Sequence, residues 1–197
     1  MTERRISVIL PTRNPNRERL AEVMRGLSQQ TLARTLWDVC IVDNGSTPPL
    51  EIQMMDLGFD VQVIAEMRPG LLWARLAGIK QTAGDLMVFI DDDTIPDRNF
   101  LSESVAFMDT YPALGTAGGR IGPRYLVTPP PWIDSIEWLL AIRDNGSEPL
   151  FWGQSDGTAL PSWTPIGAGL LVRRAAIDAE YLTHVRDNSS HIEEISW

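Results

Sequence analysis

Residues 84–94 read GDLMVFIDDDT, an apolar run at 86–90 that passes without a break into three carboxylates, Asp91, Asp92 and Asp93. A short run rich in Leu, Val, Ile and Phe is the pattern of a buried strand. A carboxylate triplet at its end is costly, because like charges at that spacing repel and cannot all shed water unpaired. A hard divalent cation relieves the conflict: Mg2+ or Mn2+ takes oxygen ligands and is commonly held by one or two carboxylates together with substrate phosphates. The plainer alternative is a solvated turn in which Asp93 or Asp97 caps the following helix. Three acids in succession after a buried strand favour the functional reading.

Similar apolar runs occur at residues 6–10 (ISVIL), 37–42 (WDVCIV) and 61–65 (VQVIA), each predicted to be a strand. Between the first two, Leu20, Val23, Met24 and Leu27 recur at helical spacing behind Asn14-Pro15-Asn16, which supplies capping and first-turn chemistry. Leu71, Leu72, Arg75 and Ile79 form a weaker helical stripe before the Asp-bearing strand, and Leu101, Val105 and Met108 one after it, opened by Pro96 and Asp97. With a short helix between the second and third strands, the order alternates strand and helix, which requires crossover connections and parallel pairing. Residues 1–110 are therefore expected to form an α/β sandwich with a mostly parallel sheet, and ligands of such sheets sit beyond the carboxyl ends of the strands.

Those ends are polar: Pro11-Thr12-Arg13-Asn14, then Asp43-Asn44-Gly45-Ser46, then the aspartates. Familiar phosphate loops are absent. Lys80, the only lysine, is followed by Gln81, and the first strand-to-helix turn holds no glycine, which removes both the P-loop and the dinucleotide fingerprint. An aspartyl-phosphate phosphatase would need a lysine downstream of the aspartates. A nucleotidyltransferase would be expected to carry a glycine-rich first turn and a catalytic lysine, and neither is present.

Four segments in order, ISVILPTRN (6–14), VCIVDNGST (39–47), GLLWARLAGIKQTAGDLMVFIDDDTIP (70–96) and PIGAGLLVRRAAI (165–177), resemble the family 2 glycosyltransferases of the GT-A fold. The resemblance covers roughly residues 5–197 and implies a Rossmann-like three-layer α/β/α sandwich. It implies an inverting, metal-dependent transfer of a sugar from a nucleotide diphosphate sugar to an acceptor hydroxyl, with a non-catalytic nucleotide-sugar-binding module as the alternative. It places Pro11, Thr12, Arg13, Asn14, Asp43 and Asn44 at the base and ribose, with Asn44 where the family often carries an Asp paired to uracil. Arg75 matches the family's Ala-Arg-Asn segment, in which Leu76 replaces the Asn. Asp91 and Asp92 would touch ribose and sugar, while Asp93, with Asp91 beside it, would hold Mn2+ or Mg2+. The family's base is the second acid of a pair, which points to Glu194, then Glu193, at the family's spacing after Arg173-Arg174. Acidic residues complementing a helix dipole explain that pair equally well.

Beyond Tyr111 the texture changes. GTAGGRIGPRYLVTPPPW (115–132) is rich in Gly and Pro, and Trp132, Trp138, Trp152 and Trp163 crowd into a stretch of little periodicity. One helix around residues 133–142 and a strand at 169–172 are expected there. Residues 111–197 are taken as the acceptor-side half of one continuous domain. Because HIEEISW opens a helix without a stop signal, the chain is expected to be a truncated piece. Trp132 or Trp163 could face a sugar or pack in a core. Cys40 reads as a core residue, Arg68 as a phosphate-facing or surface-loop arginine, and His184 and His191 lack partners at metal spacing.

The 197 residues, 44% hydrophobic and 22% charged, suit a single globular domain. A formal net charge of −9 disfavours general nucleic acid binding. One cysteine excludes an intrachain disulfide framework, and the first residues hold too short an apolar run for a signal peptide or membrane span. The expected setting is cytoplasmic, and a lipid-linked rather than free carbohydrate acceptor would bring the chain to the inner face of a membrane. Donor base, acceptor and oligomeric state are not legible.

Overall fold

The structure is a computed structural model and describes residues 5–50, 58–136, 139–153 and 159–177. Its main elements are β1 (Ile6–Thr12), α1 (Arg17–Ser28), β2 (Trp37–Asp43), β3 (Val61–Ala65), α2 (Leu71–Gln81), β4 (Leu86–Phe89), α3 (Phe100–Thr110), β5 (Thr116–Gly118) and β6 (Leu170–Arg173). The described strands form one sheet in the order β3-β2-β1-β4-β6-β5. β1 pairs in parallel with β2 and β4, and β2 with β3, while β6 runs antiparallel to both of its neighbours. The sheet is therefore mostly parallel, as its apolar runs require. The short helix expected between the second and third strands falls in part on residues outside those described.

The period of two along each strand divides the core. Ile6, Val8 and Leu10 of β1 join Val39, Ile41, Leu86 and Val88 on one face, covered by Leu20, Val23, Met24 and Leu27 of α1 and by Leu101 and Met108 of α3. Ile9, Cys40, Val42, Met87 and Phe89 point to the other face, covered by Ala74 of α2. Three layers result, with β1 and β2 buried along their whole length.

The stripe read for α1 is its buried face, and Asn16 caps it by accepting from the Glu18 and Arg19 amides at 3.0 and 3.1 Å. The stripe read for α2 is not. Trp73, Ala74, Leu76 and Gly78 are buried, while Leu71, Leu72, Arg75 and Ile79 are only half-buried. The reason is close approach: a Cβ at Gly78 would fall deep inside the van der Waals shell of the Ile9 side chain, so the helix seats itself on its smallest residues. At α3, Asp97 accepts from the Asn99 amide at 2.9 Å in the preceding turn, but the helical Leu101 amide is met by Gln30 Oε1 at 2.9 Å. The same buried Gln30 donates through Nε2 to the Gly26 carbonyl at 3.1 Å, so one side chain serves two helix ends.

Beyond α3 the expected strand at 169–172 is present as β6, one residue later. β5, in the glycine-rich TAG segment, was not expected. The helix expected around 133–142 is replaced by a short 3-10 turn at Pro131–Ser135, followed by another tight bond from the Leu139 amide to the Ile136 carbonyl at 2.9 Å. Three prolines at 129–131 lead into it, and Pro131 takes its first position, where a helical amide would have no partner in any case. Arg173 and Arg174 anchor β6. Arg173 donates to the Met108 and Leu114 carbonyls at 2.9 and 3.1 Å, and Arg174 to the Ile79 and Gly84 carbonyls at 3.0 and 2.8 Å.

Candidate active site

Parallel pairing in register sets Thr12 level with Asp43 and carries β4 to the same rim, where the Ile90 amide donates to the Ile9 carbonyl at 3.1 Å. The polar residues that follow β1, β2 and β4 therefore meet. The buried Thr12 hydroxyl donates directly to Asp92 Oδ2, joining two segments eighty residues apart in sequence.

The turn after β1 is bound to the turn after β2. Asn14 adopts φ 50°, a left-handed conformation that Asn tolerates. Its amide donates to Ser46 Oγ and its Oδ1 accepts from the Thr47 amide, both at 2.8 Å. Pro11 is buried within β1, and Arg13 is exposed at the rim. Asp43 is buried and turned into its own loop, accepting from the Ser46 amide at 2.9 Å and the Leu50 amide at 2.8 Å. Burial by itself would raise its pKa, but these hydrogen bonds hold the carboxyl below its ordinary range.

Asn44 is also committed. Its Nδ2 donates to the Glu66 and Arg68 carbonyls at 2.8 and 2.7 Å, and its Oδ1 accepts from the Gly70 amide at 2.8 Å. With 3% of its surface exposed, Asn44 is the clasp that holds the loop between β3 and α2 against the rim. Arg68 in that loop lies 4.0 Å from the Trp73 ring centroid and pairs with Glu66 at 2.7 Å, which depresses the Glu66 pKa. Neither Asn44's clasp nor this stack was legible beforehand; the only signal was the Gly70 that α2 follows.

Asp91 is half-buried, and its carboxyl is pushed above the ordinary carboxylate range, first by burial and then by Asp93 and Asp92; Arg75 opposes the shift. The Arg75 guanidinium sits 3.7 Å from Asp91 and 5.4 Å from the Phe89 ring centroid. Burial lowers the Arg75 pKa, and its Nε is enclosed without a hydrogen-bond partner. Space for this arginine comes from residue 167, where any Cβ would overlap the guanidinium. The loop holding Gly167 reaches the rim because the Gly169 amide donates to the Phe89 carbonyl at 2.8 Å. A cavity of about 680 Å3 opens beside Asp93 and is lined in part by Arg19, Arg120 and Arg124.

Thr12, Arg75 and the three aspartates are thus brought together, while Asp43, Asn44 and Asn14 shape the same rim from within. Among the described residues no three acidic, His or Cys side chains form a ready-made metal cage. The rim nevertheless fits a cation shared with a phosphate: it offers hard oxygen donors, one of them partly desolvated beside two like charges, and needs only one or two carboxylates. Glu193, Glu194, Trp138, His184 and His191 lie outside the described residues. Cys40 is buried in the core with its thiol pushed up to about 12 by burial and by Asp38. Trp163 lines a second cavity, and Trp132 is exposed. No described helix is long and apolar enough to cross a membrane.

The sequence profile of glycosyl transferase family 2 matches residues 7–176. The chain is similar to glycosyltransferase AglE of Haloferax volcanii, 28% identical over 58% of this chain and 43% of that protein. It is similar to an N-acetylglucosaminyltransferase of Bradyrhizobium diazoefficiens, 30% identical over 74% of this chain and 31% of that protein. The matches thus span less than half the length of these two relatives. Among solved structures, the mannosyltransferase PcManGT from Pyrobaculum calidifontis, in complex with GDP-Man and Mn2+, superposes with a TM-score of 0.50 at 22% identity, covering 61% of this chain and 37% of that one.

Proposed function

The chain belongs to glycosyl transferase family 2, and from that membership and the rim's geometry we propose that it transfers a sugar from a nucleoside diphosphate sugar to an acceptor hydroxyl with inversion. The fold is the GT-A α/β sandwich. The observation that carries the reading is the meeting of Thr12, Arg75, Asp91, Asp92 and Asp93 at the carboxyl end of one mostly parallel sheet. Two relatives named for glycosyl and N-acetylglucosaminyl transfer support it.

Residues 1–110 take the donor in this reading, with base and ribose against Pro11, Thr12, Arg13, Asn14 and Asp43. Asn44 serves the base by holding the 66–70 loop, since its amide is already spent on that loop. Asp92, oriented by Thr12, and Asp91, faced by Arg75, receive ribose and sugar. Asp93, with Asp91, would hold Mn2+ or Mg2+, whose charge would stabilise the departing diphosphate. Arg75 adds a fixed positive charge at the same place. Residues 111–197 face the acceptor. Glu194, with Glu193 as the second candidate, takes the proton of the acceptor hydroxyl as its oxygen bonds to the anomeric carbon and the bond to diphosphate breaks. The setting proposed is cytoplasmic.

Calorimetric titration of UDP, GDP, dTDP and CDP, each with Mn2+ and with chelator, tests the donor site. One nucleotide is expected to bind only with the metal, and Asp93→Ala to lose that binding while retaining the fold. Binding of none, or unchanged affinity in Asp93→Ala, overturns the metal site at this rim. Transfer from the matching nucleotide sugar then separates an enzyme from a binding module, and Glu194→Gln is expected to slow transfer without weakening the donor.

A further inference from the structure

The sequence Asp-Asn-Gly-Ser occurs twice, at residues 43–46 and 144–147, and these hold the chain's two Asn-Gly pairs. An asparagine followed by glycine is open to a reaction of its own. The glycine's backbone nitrogen can attack the asparagine's side-chain carbonyl carbon, because no Cβ crowds the approach and glycine reaches unusual backbone angles freely. The chain's other asparagines precede residues that carry a side chain, and Asn14 precedes Pro15, which has no N–H to give up.

The fold treats the two copies in opposite ways. Their glycines are alike: Gly45 at φ 75° and Gly146 at φ 89° both have open space where a Cβ would stand. The asparagine side chains differ. Asn44 is buried, its Nδ2 donating to the Glu66 and Arg68 carbonyls and its Oδ1 accepting from the Gly70 amide. Turning its Cγ toward the Gly45 nitrogen would break all three bonds and strand their partners. Asn145 is exposed in a segment without regular secondary structure, and among the described residues its side-chain amide makes no hydrogen bond. The Gly146 amide donates to Asp144 Oδ1 at 3.3 Å, so a carboxylate stands where it can receive the proton of the attacking nitrogen.

We propose that Asn145 is a site of deamidation in the folded protein, converting to aspartate and isoaspartate while Asn44 is preserved. The Gly146 nitrogen bonds to Asn145 Cγ as its proton passes to Asp144; the Cγ–Nδ2 bond then breaks, and ammonia departs with that proton. A cyclic imide is left. Water adds to one of the two ring carbonyl carbons contributed by residue 145. Opening at Cγ gives aspartate, and opening at the main-chain carbonyl gives isoaspartate, whose backbone runs through Cγ. Nothing is oxidised or reduced. The product carries a new negative charge on the wall of the cavity of about 590 Å3 between α3 and β5, beside the Asp144–Arg120 pair. The reaction involves neither a sugar donor nor an acceptor, so it stands whether or not the chain is a transferase.

The whole chain, native and in guanidinium chloride, is incubated at neutral and at mildly alkaline pH. Mass spectrometry follows the peptides that hold Asn44 and Asn145, and an isoaspartate methyltransferase labels the isoaspartate. In the native protein Asn44 is expected to convert at least about a hundredfold more slowly than Asn145, because it reacts only after its bonds open locally. In denaturant the two rates are expected to converge, since the neighbouring sequence is the same. Alkaline pH is expected to speed Asn145, whose attacking nitrogen must lose its proton. Gly146→Ala is expected to slow it, because the added Cβ crowds the attack and disfavours φ 89°. Equal conversion of both sites in the native protein, or an Asn145 that stays intact there, overturns the proposal. Rates that differ as widely in denaturant overturn the protection by the fold, and an Asn145 rate unmoved by Gly146→Ala overturns the cyclic route.

Discussion

The first 110 residues and the stretch from 111 to 177 solve the same problem in different ways. In the first, all seven residues of β1 and all seven of β2 are buried, and strand register brings Thr12, Asp43 and the aspartates after β4 to one rim. In the second, two short strands add to the sheet and the connecting segments wander over its edge, leaving Leu126, Val127, Trp132, Leu139 and Leu160 exposed. The two are joined by the antiparallel β4–β6 ladder, by Arg173 and Arg174 bonding helix-end carbonyls, by the Arg124–Glu22 pair and by Gly167 backing Arg75. Donor chemistry shared across a family suits the first arrangement, because backbone pairing fixes it. Acceptor recognition suits the second, because loops can change without disturbing the sheet.

Gly78→Leu is expected to have the largest effect. Gly78 is where α2 rests on Ile9, and any side chain there must push the helix off a sheet that cannot yield. Overpacking of this kind costs about 3 kcal/mol, the upper part of its usual range, and should lower Tm by roughly 6–12 °C for a chain of this size. Urea unfolding measures it directly. A loss below about 0.5 kcal/mol, the level of an ordinary surface change, would mean the first region is as forgiving as the second.

The same contrast governs what the sequence makes legible. The α1 stripe of Leu20, Val23, Met24 and Leu27 and the four apolar strands are visible because large side chains are buried by simple periodicity. The face of α2 is hidden, because Ala74 and Gly78, the small residues that pack closest to the sheet, carry no hydropathy signal and interrupt the stripe that Trp73 and Leu76 would otherwise mark. β5 is hidden for a related reason, since it is only three residues long, and Ala117 and Gly118 carry little strand propensity and pair because β6 arrives beside them. At the site, residue types at strand ends reveal Thr12, Arg75 and the aspartates. The Asn44 clasp and the Gln30 double cap depend on partners many residues away in sequence, and no local pattern encodes them.

Gly167→Ala probes a joint between the regions and should have an intermediate effect. The new Cβ would occupy the space of the Arg75 guanidinium, which is the end of a long side chain and can swing aside. The expected stability change is therefore under about 1 kcal/mol, as for substitutions that a flexible neighbour absorbs. The nucleotide diphosphate affinity should fall about tenfold, equivalent to about 1.4 kcal/mol, because Arg75 no longer faces Asp91. Unaltered affinity alongside a displaced arginine would remove Arg75 from the donor site. A large stability loss would show instead that the 167–169 turn is part of the rigid first region.

The smallest effect is expected from Leu126→Ser. Leu126 is 73% exposed on the segment between β5 and β6, where it lines one side of the cavity beside Asp93. An apolar side chain mostly in water surrenders little burial when shortened, so unfolding free energy should move within about 0.5 kcal/mol. The same substitution at the fully buried Leu27 would sacrifice a side chain that α1 places against the sheet, leaving a cavity in the core. Unfolding both variants in urea therefore measures how differently the regions weigh one leucine. Should Leu126→Ser cost as much as Leu27→Ser, the segment between β5 and β6 is packed as tightly as the sheet, and loop freedom no longer supports the proposal that this region faces the acceptor.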